Sequence, residues 1–140
     1  MKTLKNIFLS FLLILFSVFS FAQILVKEPA TVTLVSSKNI HEANELVVDL
    51  DGHIITEIWS RDDIVRIEME IKANEVTRNV IKHLVRKNRF HVKMEKLEDG
   101  SVFLSMPKLE QEIYINGRRL SEDISYRLLV PENVIVKIKT

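Results

Sequence analysis

The chain has 140 residues, 20 basic against 19 acidic, no cysteine, three glycines and three prolines. That length holds one small domain, and the missing cysteine excludes a disulfide framework, a thiolate zinc site, a thiol nucleophile and a lipid-acceptor thiol. A net charge of +1 gives no ground for nucleic acid as a partner.

Residues 7–21 read IFLSFLLILFSVFSF behind Lys2 and Lys5, with five of the seven phenylalanines and no acid. This run of fifteen is short, because a membrane-crossing helix needs about 20 apolar residues. It closes on Ser20-Phe21-Ala22, with small residues where a signal peptidase cuts. Residues 1–22 are therefore expected to be a secretory signal peptide and residues 23–140 a single β-rich domain. With no cysteine beside position 22 to carry a lipid, no stable membrane anchor is expected after cleavage. In an oxidising compartment without disulfides, stability must come from the core and the backbone ladders.

Strict alternation marks residues 65–73, apolar at odd and charged at even positions up to Lys72, the period of a half-buried strand. Weaker alternation predicts strands at 46–50, 54–59, 90–96, 102–106, 113–115, 124–130 and 134–138. A further strand is expected within 24–35, pushed to an edge by Pro29. Every glycine follows Asp or Asn, in Asp51-Gly52, Asp99-Gly100 and Asn116-Gly117, the pairs that supply positive φ in hairpin turns.

Face matching then selects registers, since a one-residue slip exchanges the two faces. A three-residue loop Glu98-Asp99-Gly100 sets Met94 opposite Leu104 and Val92 opposite Met106. The same loop length at Leu50-Asp51-Gly52 pairs Val48 with Ile54, and a four-residue loop at 60–63 pairs Ile58 with Val65 and Ile54 with Met69. At Asn116-Gly117 a two-residue turn sets Ile113 opposite Leu120. One segment breaks the pattern: Val76, Val80, Ile81, Leu84 and Val85 share a helical face. The expectation is a helix over 75–88, capped by Asn74 and stopped by a left-handed Asn88. The fold class is mainly β: antiparallel hairpins forming a sheet, small β-sandwich or solenoid-like module with one short α-helix.

The order of Val47-Val48-Asp49-Leu50-Asp51-Gly52, Ile58-Trp59-Ser60-Arg61-Asp62-Asp63, the alternating strand and Tyr126-Arg127-Leu128-Leu129-Val130-Pro131 resembles a known family. It is similar to the N-terminal module of the auto-transporter-adhesin-like (head GIN domain) family, secreted proteins of Gram-negative bacteria. The likeness covers residues 40–138, and its motifs form fold without any catalytic signature. It implies a β-rich adhesin-like domain, periplasmic or extracellular, of unproven function.

No residue pattern calls for catalysis, a cofactor or a metal. His41, His53, His83 and His91 lack ligand spacing, and Asp49, Asp51 and His53 lack the further oxygens of a calcium loop. Glu68 and Glu70 share one strand face with Arg66 and Lys72, which favours a solvated or paired face over an acid/base pair. The densest basic run is Lys82, Arg86, Lys87, Arg89 and Lys93, suited to anionic envelope polymers. Trp59 beside Arg61 is either a recognition aromatic or a cover for the sheet. The expected binding surface is thus Trp59, Arg61, Lys82, Arg86, Lys87 and Arg89. The expected function is a non-enzymatic envelope module engaging a protein or polysaccharide. Two alternatives are a small hydrolase of glycan or cell-wall material and an accessory to an envelope signalling system.

Overall fold

The computed structural model describes residues 28–61 and 63–139, so the expected signal peptide, residues 1–22, lies outside the described residues. Strand β4 (Ile64–Ala73) carries the strict alternation. Val65, Ile67, Met69, Ile71 and Ala73 are buried along one face, while Arg66, Glu68, Glu70 and Lys72 line the other. β1 (Ala30–Asn39) pairs antiparallel with one side of β4 and β9 (Glu122–Pro131) with the other. β3 (His53–Trp59) then joins β9 in parallel, giving the order β1-β4-β9-β3. β1 is an edge strand as expected, but it starts after Pro29 and runs to Asn39, past the expected bounds 24–35, of which residues 24–27 lie outside the described residues.

A second sheet runs β10 (Ile135–Ile138), β2 (Glu45–Asp49), β6 (Val102–Ser105), β5 (Lys93–Lys96), with its first two pairings parallel and the last antiparallel. Its inward residues Leu46, Val48, Val102 and Leu104 join the inward face of the first sheet in one core. The two sheets are open and form no barrel. A short hairpin, β7 (Tyr114–Ile115) and β8 (Arg118–Arg119), stands apart.

Two hairpins take the expected register. At Glu98-Asp99-Gly100 the Leu97 N–H donates to the Ser101 carbonyl at 2.8 Å, Gly100 sits at φ +87°, and Met94 faces Leu104. Asp99 Oδ1 fixes the turn by accepting from the Ser101 N–H at 2.9 Å and its hydroxyl at 2.6 Å. Around Asn116-Gly117, both at positive φ, the Leu120 N–H donates to the Ile113 carbonyl at 2.8 Å.

The pairings Val48 with Ile54, Ile58 with Val65 and Ile54 with Met69 are overturned. β2 and β3 lie in different sheets, and β9 is inserted between β3 and β4. Ile54 faces Tyr126 and Ile58 faces Val130 instead. Asp51-Gly52 is a crossover between sheets: Gly52 sits at φ +141°, and a Cβ there would collide with the Ile124 carbonyl oxygen. Alternation specifies the two faces of a strand and says nothing of which neighbour it meets.

The helix is shorter than residues 75–88. α1 (Arg78–Arg86) starts from an extended Thr77, because Glu75 at φ +61° has left the helical region, so Asn74 is not its cap. Asn88 does take the left-handed position, at φ +58°. α1 rests on β1. A cavity of about 340 Å³ lined by Lys38, Asn39, Lys93 and Met94 shows that β1 and β5 lie at the same flank. The other edges of the two sheets are β3 and β10, where Ile58 is 72% and Ile138 46% exposed although both point inward from their sheets.

Candidate binding surfaces

The helix divides into two halves. Val80, Ile81, Leu84 and Val85 pack on the core, while Arg78, Lys82 and Arg86, spaced four apart, lie on the opposite side with His83 and Lys87. All five of these are exposed, and α1 contains no acid. Elsewhere most cations have partners. Lys93 meets Glu95 at 2.6 Å, Arg118 meets Glu75 at 2.8 Å, and Lys137 meets Glu45 at 2.7 Å. Among the described residues no acid comes within 4 Å of Arg78, Lys82, Arg86 or Lys87.

Arg89 does not belong to that surface, which corrects the sequence expectation. It is 6% exposed. Its Nε donates to Glu122 at 2.8 and 3.1 Å and its Nη2 at 2.6 Å. Nη1 donates to the Lys108 and Gln111 carbonyls at 3.0 and 2.9 Å. The left-handed Asn88 turns the chain so that residue 89 points inward, where its planar fork matches a buried carboxylate. Charge density alone does not distinguish a pinned arginine from a solvated one.

Trp59 ends β3 at the other flank, away from the helix, so the two parts of the expected surface are not brought together. The indole is half-buried, and its Nε1–H donates to the Ile64 carbonyl at 2.8 Å. Extending the β4–β9 register places Ile64 opposite Pro131, which has no N–H to give. Trp59 supplies that missing donor. Arg61 is exposed in the following loop.

On the outer face of the first sheet, Arg127 holds Glu57 at 2.6 Å and Glu68 at 3.3 Å, Arg66 holds Glu68 at 2.9 Å, and Lys72 holds Glu70 at 2.7 Å. The hydrogen bond from Arg127 holds the Glu57 carboxyl below its usual range, and Glu70 raises Lys72. These carboxylates are committed to cations across and along the strands, so of the two readings, solvated or paired, the face takes the paired one.

A polar cavity of about 460 Å³ opens beside Asp51, Glu110, Arg119 and Asp123. Beneath this end of the sheet the Tyr126 hydroxyl is buried without a hydrogen-bond partner among the described residues. Burial, then the charges of Asp51 and Glu122, push its ionisation up. Among the described residues no three imidazole or carboxylate groups cluster to hold a metal ion.

Two features escaped sequence reasoning. Arg78 belongs to the basic stripe through its spacing from Lys82, a signal that was available. The open flank at Ile55, Ile58 and Ile138 needed the strand order; its one trace was apolar residues of both parities in His53-Ile54-Ile55-Thr56-Glu57-Ile58-Trp59.

No described helix is long and apolar enough to cross a membrane. No protein-family model matches the chain, and no curated protein matches it. Among solved structures it is similar to the crystal structure of a "putative cell adhesion protein" from Clostridium sporogenes, at a TM-score of 0.40 and 11% identity. The match covers 77% of this chain and 45% of that one, so this chain spans less than half of that protein's length.

Proposed function

We propose that residues 23–140 are a non-enzymatic, adhesin-like binding or structural module of the cell envelope that engages an envelope protein by strand addition along β3. The observation carrying this reading is the edge of β3, seven residues long and, among the described residues, laddered on one side only, with Ile55 48% and Ile58 72% exposed. An incoming strand gains main-chain hydrogen bonds there and covers apolar surface. β3 carries neither lysine nor proline, its one carboxylate, Glu57, is bound to Arg127 on the outer face, and among the described residues α1 packs on β1 rather than on β3. By contrast, β10 carries Lys137 beside the following Lys139, and β1 has α1 against it. Export and periplasmic or extracellular residence belong to the same reading, through residues 1–22 and the likeness to the head GIN domain family.

The test places a photo-crosslinking residue at Ile55 in the exported protein. One defined envelope protein is expected to be labelled, and labelling is expected to vanish with Ile58→Lys while the melting curve is retained. Undiminished labelling in Ile58→Lys overturns strand addition at this edge. Turnover of cell-wall or glycan material that Glu68→Gln and Glu70→Gln abolish overturns the non-enzymatic reading.

A further inference from the structure

We infer that the exposed half of α1 is a docking surface for a phosphate-bearing anionic lipid surface. Four cations, Arg78, Lys82, Arg86 and Lys87, have no acidic partner among the described residues, in a protein whose other cations are largely paired. Lys108 adds a fifth at the same place: its Nζ donates to the Lys87 carbonyl at 3.3 Å, beside the C-terminal end of the helix. The patch persists although the whole chain is nearly neutral.

Charge complementarity calls for an anion, and the geometry selects its form. Arg78 and Arg86 are two turns apart, about 12 Å along the helix axis, so they do not converge on one phosphate. The exposed half presents Arg78, Asn79, Lys82, His83, Arg86 and Lys87, with no Trp, Tyr or Phe to stack on a sugar or a base. A convex row of flexible point charges suits a plane of many headgroups, to which each contributes additively. The apolar half of α1 is used up in the core, so contact is electrostatic and peripheral, without insertion. Because α1 lies at the β1 flank, docking leaves the β3 edge facing away from the surface. The basic half of α1 shares no residue with the β3 edge.

The experiment is sedimentation of residues 23–140 with phosphatidylcholine vesicles containing phosphatidylglycerol. The protein is expected to bind these at low salt, to ignore pure phosphatidylcholine, and to be released near 0.5 M salt, where the Debye length is about 4 Å. Arg78→Glu, Lys82→Glu and Arg86→Glu together are expected to weaken partitioning by more than about tenfold. Lys93→Gln with Lys137→Gln, which removes paired cations, is expected to leave it unchanged. Equal binding to neutral vesicles, binding that survives the triple reversal, or insensitivity to salt in the unaltered protein overturns the inference. Displacement by soluble polyphosphate at equal phosphate concentration also overturns it, in favour of a free polyanion.

Discussion

At the residue scale, Arg89 and Gly52 decide more than their neighbours. Arg89 joins the turn after α1, the 3₁₀ turn Pro107–Glu110 and the first residue of β9 through donors on all three guanidinium nitrogens. Arg89→Met strands the buried Glu122 carboxylate and is expected to cost about 3–5 kcal/mol in a denaturant titration. Replacing both partners by apolar residues is expected to restore most of that loss. Arg89→Lys is not a conservative change here, because a single ammonium cannot reach the carboxylate and two carbonyls together. Gly52→Ala forces a Cβ onto the Ile124 carbonyl in a backbone region closed to it, for an expected loss of about 3 kcal/mol. Gly100→Ala has open space around it and strains only φ, so about 1 kcal/mol is expected from the same titration.

At the element scale, the first sheet grades from a secure middle to a loose edge. β4 has partners on both sides and five buried inward residues, whereas β3 has one partner and is largely exposed. Hydrogen exchange is expected to be slowest in β4 and fast along the free edge of β3. Trp59→Phe keeps the ring but leaves the Ile64 carbonyl without its donor, with an expected cost of about 1 kcal/mol. The Glu57–Arg127 bond ties β3 to β9 from the outer face. Since Arg127 lowers the Glu57 pKa in the fold, its stabilisation is fully present above the ordinary value of 4.5 and disappears as pH falls through the lowered one. Asp99, lowered by the Ser101 hydroxyl and N–H, acts in the same direction at the β5–β6 turn. The melting temperature is therefore expected to fall on acidification below that range, and Glu57→Gln to flatten the fall.

At the scale of the whole molecule, the two flanks differ in kind. The β1 side carries a helix with its charges turned outward; at the β3 and β10 edges inward-pointing Ile58 and Ile138 are uncovered by the described residues. A sandwich flank in that state exposes both backbone and core. The basic and apolar surfaces lie on opposite flanks, so each can be occupied without the other. Variants at Ile58 and at Arg78 are accordingly expected to act independently in binding measurements.

By itself the sequence determined which residues point inward, because alternation and helical spacing are local properties of the backbone. β4 shows this, as do the Asp99-Gly100 and Asn116-Gly117 hairpins, whose partners are a few residues away and whose turn chemistry fixes register. The neighbours of β2 and β3 were decided only in three dimensions. β9 arrives from some seventy residues downstream, and no local pattern distinguishes a hairpin turn from a crossover at Asp51-Gly52. The candidate surfaces divide the same way. Lys82, Arg86 and Lys87 were legible as a charged helix face, whereas the burial of Arg89 depends on Glu122, 33 residues away. The open flank exists because of where two parallel pairings happen to end, a long-range outcome that composition and spacing do not carry.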